Sequence, residues 1–388
     1  MKTAYEFVVV GMGGIGSAAL YWLSRAAGAE VLGLEQFPLG HDNGASQDHS
    51  RIIRLSYHAP EYTVLTPHTY AAWKEAEDES GVQIVVKCGG VDLAPPETTD
   101  LLDPYAAAMQ VQSVPFDDLN ATEAMGRFPQ FRLDQGSRML HQADGGLCDP
   151  RKAIPTHIAL ARARGATVLD NTLVEALIPT NDGVEVQTDA GAFFAKRVVV
   201  AADAWTNQVL RETGVQIPLT ITQEQVTYFA TPNLRAFAPD RFPIWIWHSP
   251  DAFYGFPVYG EVATKAGLDV GGDVVTLAAR TFAANPRPHQ KLVSFLARHI
   301  PGSLGPELYT KTCLYTMPPD RNFVIDRLPE HPQIVVAQGA AHGFKFAGLI
   351  GRITAELAAN GATDYPIEAF TISRPALVDP AFVPLLQM

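Results

Sequence analysis

The pattern that most narrows the fold is a glycine cluster, GMGGIG at 11–16, set between a short apolar run and a helical one. Glu6–Val10 (EFVVV) is rich in β-branched residues and reads as a strand buried on both faces. After the glycines, Ala18, Ala19, Leu20 and Leu23 follow a helical pattern to about Ala27, and Gly28 is a natural stop. Val31–Leu34 is a second strand ending at Glu35, which closes a βαβ unit of about 30 residues. Within it, Gly11, Gly13 and Gly16 form G-x-G-x-x-G. The first glycine permits the tight turn, the second a close backbone approach to a pyrophosphate, and the third close helix packing. The helix N-terminus then faces the phosphates. Glu35 lies 19 residues beyond Gly16, where a carboxylate can accept ribose hydroxyls. These residues point to a bound dinucleotide and leave FAD and NAD equally open.

At 388 residues the chain is long enough for two domains. Lys plus Arg is 29 and Asp plus Glu is 41, a net charge of −12, which argues against a basic nucleic-acid groove. With 47% hydrophobic and 18% charged residues, neither disorder nor a disulfide scaffold fits. Cys88, Cys148 and Cys313 are far apart, form no metal knuckle, and suit a reducing compartment. The uncharged stretch from Phe7 to Leu23 is short for a membrane span and is interrupted by glycines. The expectation is a soluble, cytoplasmic protein with no membrane, nucleic-acid or metal partner.

Beyond the first unit, 37–50 is polar and irregular and leads into Arg51-Ile52-Ile53-Arg54. Helical patterns are expected near 61–80, 153–164, 286–299 and 348–360. Arg197–Ala201 and Gln333–Ala337 read as buried strands, and 81–144 as short strands with turns. Gln225–Ala230, Phe242–His248 and Phe253–Tyr259 suggest an antiparallel sheet. The alternation implies an α/β (α+β overall) chain. Its Rossmann-like dinucleotide domain, 1–82, 147–215 and 318–388, would be interrupted by an antiparallel or mixed-sheet substrate domain, 83–146 and 216–317.

Further motifs narrow the chemistry: SRIIR at 50–54, YGFP at 254–257, TKTCLYTMPPDRNFVID at 310–326, HGFKF at 342–346 and FTISRPAL at 370–377. On these, together with GMGGIG, the chain resembles the monomeric sarcosine oxidase family nearly end to end. That family also contains N-methyltryptophan oxidase and pipecolate/sarcosine oxidase. The resemblance implies FAD, attached through a cysteine thioether, and oxidation of a secondary amino acid to an imine with oxygen reduced to hydrogen peroxide. A small secondary amino acid and molecular oxygen would be the partners of a monomeric enzyme.

The resemblance assigns residues. Cys313 matches the flavin-linking cysteine, whereas an inert buried thiol is the ordinary fate of a free cysteine; a cation such as Lys311 would favour its thiolate if the fold brings it near. Arg51 looks like the flavin-proximal arginine. Arg54 looks like the arginine that holds the substrate carboxylate, for which a guanidinium fork is suited. Lys345 looks like a second carboxylate ligand beside the cofactor, and Ser50 and Gly343 fall with it at the cofactor site. Lys265 matches the lysine that activates oxygen, since a fixed ammonium stabilises the anion formed when oxygen accepts an electron. Tyr254 and Tyr315 match tyrosines that pack around the substrate.

Three positions depart from the family. Asp269 and Gln47 stand where the family carries histidines in the pocket and in the loop before SRIIR, and a carboxylate at 269 would favour a cationic substrate group. Asp203, in AADAW, stands where the pattern carries glycine close to the cofactor. The expected substrate is therefore bulkier or more basic than sarcosine. The alternatives are a dehydrogenase of the same architecture that uses another acceptor, and a degenerate flavoprotein without catalysis.

Overall fold

The computed structural model describes residues 2–385. Its first sheet has eight strands, with Ala4–Val10 between Gly191–Val200 and Val31–Leu34 and parallel to both. Thr167–Leu169 extends it beyond Val31–Leu34, and Ile334–Gln338 lies parallel to 198–200 on the other side. A hairpin, Val174–Thr180 with Gly183–Thr188, joins Gly191–Val200 antiparallel. The parallel strands are continuous apolar runs because helices cover the sheet. Gly14–Ala27 and Ala347–Asn360 cross at Gly351, where an added Cβ would stand 2.4 Å from the Ala18 Cβ; only a glycine allows that approach.

A second sheet has nine strands. Thr220–Phe229 pairs antiparallel with Glu307–Met317 on one side and Thr264–Leu268 on the other. Phe253–Phe256 and Ile244–Trp247 follow, and Gly90–Ala94 then runs parallel to Ile244–Trp247, so the sheet is mixed. A small third sheet joins Arg51–Ile53, Gly146–Cys148 and Val85–Lys87.

This is the expected Rossmann-like unit beside a mixed-sheet unit. Two local expectations differ. The helical stretch at 61–80 is two helices, Pro60–Thr63 and Thr66–Ser80. The segment 81–144 also holds two helices, Asp103–Val111 and Ala121–Arg127. The second is fixed by a capping box between Asn120 and Glu123, a local signal that strand-like neighbours obscured. Among the described residues, no helix is long and apolar enough to cross a membrane.

Candidate active site

A cavity of about 730 Å³ runs from the glycine turn to the second sheet, a size that suits a large ligand. At its first end Gly11 has φ +92°, and an added Cβ there would lie 2.5 Å from the Ala201 carbonyl oxygen. A Cβ on Gly16 would lie 1.7 Å from the Gly11 oxygen, so the turn and helix can close only without side chains. Gly13 caps the helix without a side chain, and Gly14 N–H donates to Ser46 Oγ at 3.0 Å. Buried Glu35 accepts from Met12 N–H at 2.8 Å and Phe37 N–H at 3.1 Å, so it also braces the turn. The bare turn, the helix N-terminus and the acid at the strand end fit FAD by its diphosphate and ribose.

Asp203 keeps a glycine-like φ of +46°. Burial raises its carboxyl to about 6, and its Oδ2 has no partner. Gln47 belongs to the loop lining this region of the cavity and is tied to the Gly40 carbonyl.

The middle of the cavity gathers residues from three remote segments. Lys265, on the strand Thr264–Leu268, is 3% exposed; its ammonium lies 2.6 Å from Asp48 Oδ2 and donates to the Ser50 carbonyl at 2.7 Å. Burial lowers its pKa to about 8 against the pull of Asp48. Arg51 donates to the Ser50 and Ala45 carbonyls at 2.9 and 2.8 Å and lies 3.6 Å from Asp48. Asp48 itself has φ +101°, is buried, and is held well below the usual carboxylate range by Lys265 and Arg51 against its own desolvation. Strained backbone of this kind persists where its surroundings fix it.

Cys313 and Tyr315 share one face of Glu307–Met317, two residues apart, with Cys313 opposite Glu224. Burial pushes the Cys313 thiol up to about 11; Arg51 and Lys265 pull it back. Lys311 is not the helper anticipated, because it turns toward Asp42 at 3.5 Å. Tyr254, on the neighbouring Phe253–Phe256, and Tyr315 also line the cavity, and burial raises both phenols, so they stay protonated.

The far end is crowded with charge. Arg54 is ion-paired with Asp92, which also accepts from Ser56 at 2.6 Å and meets His248 Nε2 at 2.7 Å. The pair holds Asp92 at about 2 against desolvation. Lys345, in the turn Gly343–Phe346, donates to Tyr57 Oη at 3.0 Å and the His342 carbonyl at 2.9 Å; burial lowers it to about 7. Asp269 lies 3.6 Å from the buried guanidinium of Arg321. Glu224 accepts from the Gly271 and Gly272 N–H groups at 3.0 and 2.9 Å and so pins the turn that follows Asp269.

Residues 6–357 match the FAD dependent oxidoreductase family. The chain belongs to it. Monomeric sarcosine oxidase from Streptomyces avermitilis is 34% identical over 379 residues, 95% of this chain and 97% of that one. N-methyl-L-tryptophan oxidase from Salmonella dublin is 30% identical, across 95% of this chain and 99% of that one. Among solved structures, NikD, an unusual amino acid oxidase essential for nikkomycin biosynthesis, superposes with a TM-score of 0.84 at 30% identity, covering 95% of this chain and 98% of that one. As a member of the FAD dependent oxidoreductase family the chain is an enzyme with FAD as its cofactor.

Every candidate site residue read from the sequence lines this one cavity except Gly16, which shapes the turn from within the helix. Three participants were missed: Asp48, Asp92 and Arg321. Asp92 had a visible signal, since an acid in the apolar strand Gly90–Ala94 requires a buried partner. Asp48 and Arg321 sit in turns and carry no such pattern.

Proposed function

We propose that the enzyme oxidises a secondary amino acid, N-alkyl or cyclic, to its imine, with oxygen reduced to hydrogen peroxide. The names of the relatives, oxidases of sarcosine and N-methyl-L-tryptophan, support the substrate class. The observation that carries the proposal is the buried Lys265 ammonium, held by Asp48 and Ser50 beside Cys313 and Arg51 in the cavity that also contains the cationic pocket.

FAD supplies the two-electron acceptor. The glycine turn and the first helix hold its diphosphate, and Cys313 is the proposed tether. The cationic end of the cavity, with Arg54 and Lys345, receives the substrate carboxylate and orients the α C–H. Tyr254 and Tyr315 wall off water and remain hydrogen-bond donors. The amine must lose its proton before its α C–H can leave with an electron pair, and Asp269 is the acidic group facing that region. Lys265 stabilises negative charge arriving on oxygen. Three unpaired cysteines suit a reducing, cytoplasmic setting.

The experiment is an oxygen-uptake screen of N-methyl, N-alkyl and cyclic amino acids. Stoichiometric peroxide with one of them is the expected result; no turnover of any would sink the proposal. One observation favours a second reading. Asp48 neutralises Lys265 at 2.6 Å, an arrangement also compatible with a dehydrogenase that excludes oxygen. Dye reduction without oxygen uptake would establish that alternative.

A further inference from the structure

Asp203 holds a left-handed backbone, φ +46°, that favours glycine. The chain nonetheless carries a carboxyl there, desolvated enough to be pushed up to about 6. Its Oδ2 is enclosed and has no hydrogen-bond partner. The Ala204 N–H and the Thr316 hydroxyl ease the burial only in part, and the fully buried Thr316 Oγ1 itself closes no hydrogen bond. Arg280, the cation whose field reaches this acid, donates instead to the Asp42 carbonyl at 3.0 Å. Gln338 gives its side-chain N–H groups to the Asp203 carbonyl at 2.6 Å and to Thr206 Oγ1 at 2.5 Å, which pins the backbone of the turn and leaves the carboxyl unmet. A strained backbone and an unmet acid in one residue persist where a ligand makes use of them.

The position of the turn says which ligand. Ala201 N–H donates to the Val10 carbonyl at 2.9 Å, and the Gly11 turn is built against the Ala201 carbonyl, so 201–203 lie directly beside the dinucleotide turn. Asp203 and Gln338 both line the cavity. Glu35 follows Val31–Leu34 on one side of Ala4–Val10, and Asp203 follows Gly191–Val200 on the other. With the diphosphate on the glycine turn and the ribose at Glu35, the half of FAD that extends toward Asp203 is the flavin half. Arg280, within electrostatic reach of both Asp203 and Cys313, marks the same direction. That half begins with the polyol chain between diphosphate and ring. Its hydroxyls are donors that a carboxylate can accept from, whereas ionised phosphate oxygens only accept.

We propose that Asp203 is an added anchor for FAD, its carboxylate accepting a hydrogen bond from a hydroxyl of the cofactor's polyol chain. The strain and the unmet acid then weigh on the flavin-free protein and are offset when FAD is bound. The inference goes beyond the amine-oxidase function proposed above and does not rest on it, because the contact concerns the cofactor and not the substrate.

The test is run on the full chain carrying Cys313→Ser, so that affinity is read without the proposed tether; if the wild-type flavin proves untethered, the unaltered chain is the parent. Two probes are titrated by flavin fluorescence, FAD and an analogue with a plain pentyl chain in place of the polyol. The parent is expected to prefer FAD, and Asp203→Gly to weaken FAD by about tenfold or more while moving the analogue less than about threefold. The melting temperature of the flavin-free Asp203→Gly protein is expected not to fall, because glycine relieves the backbone and the unmet carboxyl is gone; a merely structural acid would lower it. Asp203→Asn tolerates the same backbone and keeps an oxygen acceptor without the charge. It is expected to lose about threefold to fivefold in FAD affinity alone, and decides the matter if Asp203→Gly does not fold. FAD affinity in Asp203→Gly equal to that of the parent, or FAD and the analogue weakened by the same factor, would overturn the proposal. Failure to oxidise any amine would remove the amine-oxidase reading and leave this binding result intact.

Discussion

Replacing Asp48 by asparagine removes the charge facing Lys265 while keeping an oxygen for hydrogen bonding. Asparagine also tolerates the positive φ of this position, so the loop is expected to persist. At 2.6 Å, Coulomb's law with an effective dielectric of about 20 gives about 6 kcal/mol between the two charges. Hydrogen bonding by the amide and local relaxation return much of this. If only about 2 kcal/mol is lost, the lysine pKa falls by about 1.5. Starting from about 8, it would then titrate near 6.5, so most of the ammonium would be neutral at pH 7.5. Stopped-flow reoxidation of the substrate-reduced enzyme across pH 6–9 measures this directly. The wild-type rate constant with oxygen should decline as pH rises through about 8, and that of the variant from about 6.5. At pH 7.5 the variant should be slower by several-fold to about tenfold. An unchanged rate and midpoint in D48N would refute the role of the Asp48–Lys265 pair in oxygen use.

Three further outcomes are expected. In Cys313→Ser, yellow colour should move from the acid-precipitated pellet to the supernatant, whereas the wild-type pellet should stay coloured; colour in the wild-type supernatant would count against the tether. Asp92→Asn leaves Arg54 buried without its counter-ion and should cost about 3–5 kcal/mol, read as a lower denaturation midpoint. Because the folded pKa of Asp92 is depressed to about 2, its stabilisation is full above its unfolded value near 3.9 and is lost as pH falls through about 2; acid unfolding of the variant should lack that component. Gly16→Ala places a methyl 1.7 Å from the Gly11 oxygen, so flavin content after purification should fall steeply; normal flavin content would refute the close packing of the turn.

Much of the fold was legible in the chain itself. EFVVV, GMGGIG and the helix to Ala27 announced the βαβ unit because steric limits at glycines and the periods of strand and helix act over a few residues. The helices at Pro60–Thr63 and Thr66–Ser80, read as one pattern, show where local periodicity stops discriminating. The candidate site was legible in part by residue type, since Cys313, Arg51, Arg54 and Lys345 stand in recognisable motifs and line one cavity with Lys265, which stands in no motif and was assigned by the resemblance alone.

What tertiary structure alone decided is which charges meet. Asp48 and Lys265 are paired across the whole of the intervening chain, as are Arg54 with Asp92 and Arg321 with Asp269. No period or motif encodes such a pairing. It depends on the register of the second sheet, which sets Tyr254 opposite Gly267 and Cys313 opposite Glu224, and on turns whose backbone is strained only once they are packed. Motifs identified cations of this enzyme; the three-dimensional neighbours determined which carboxylate each one meets, because the cost of an unpaired buried charge is a property of its surroundings.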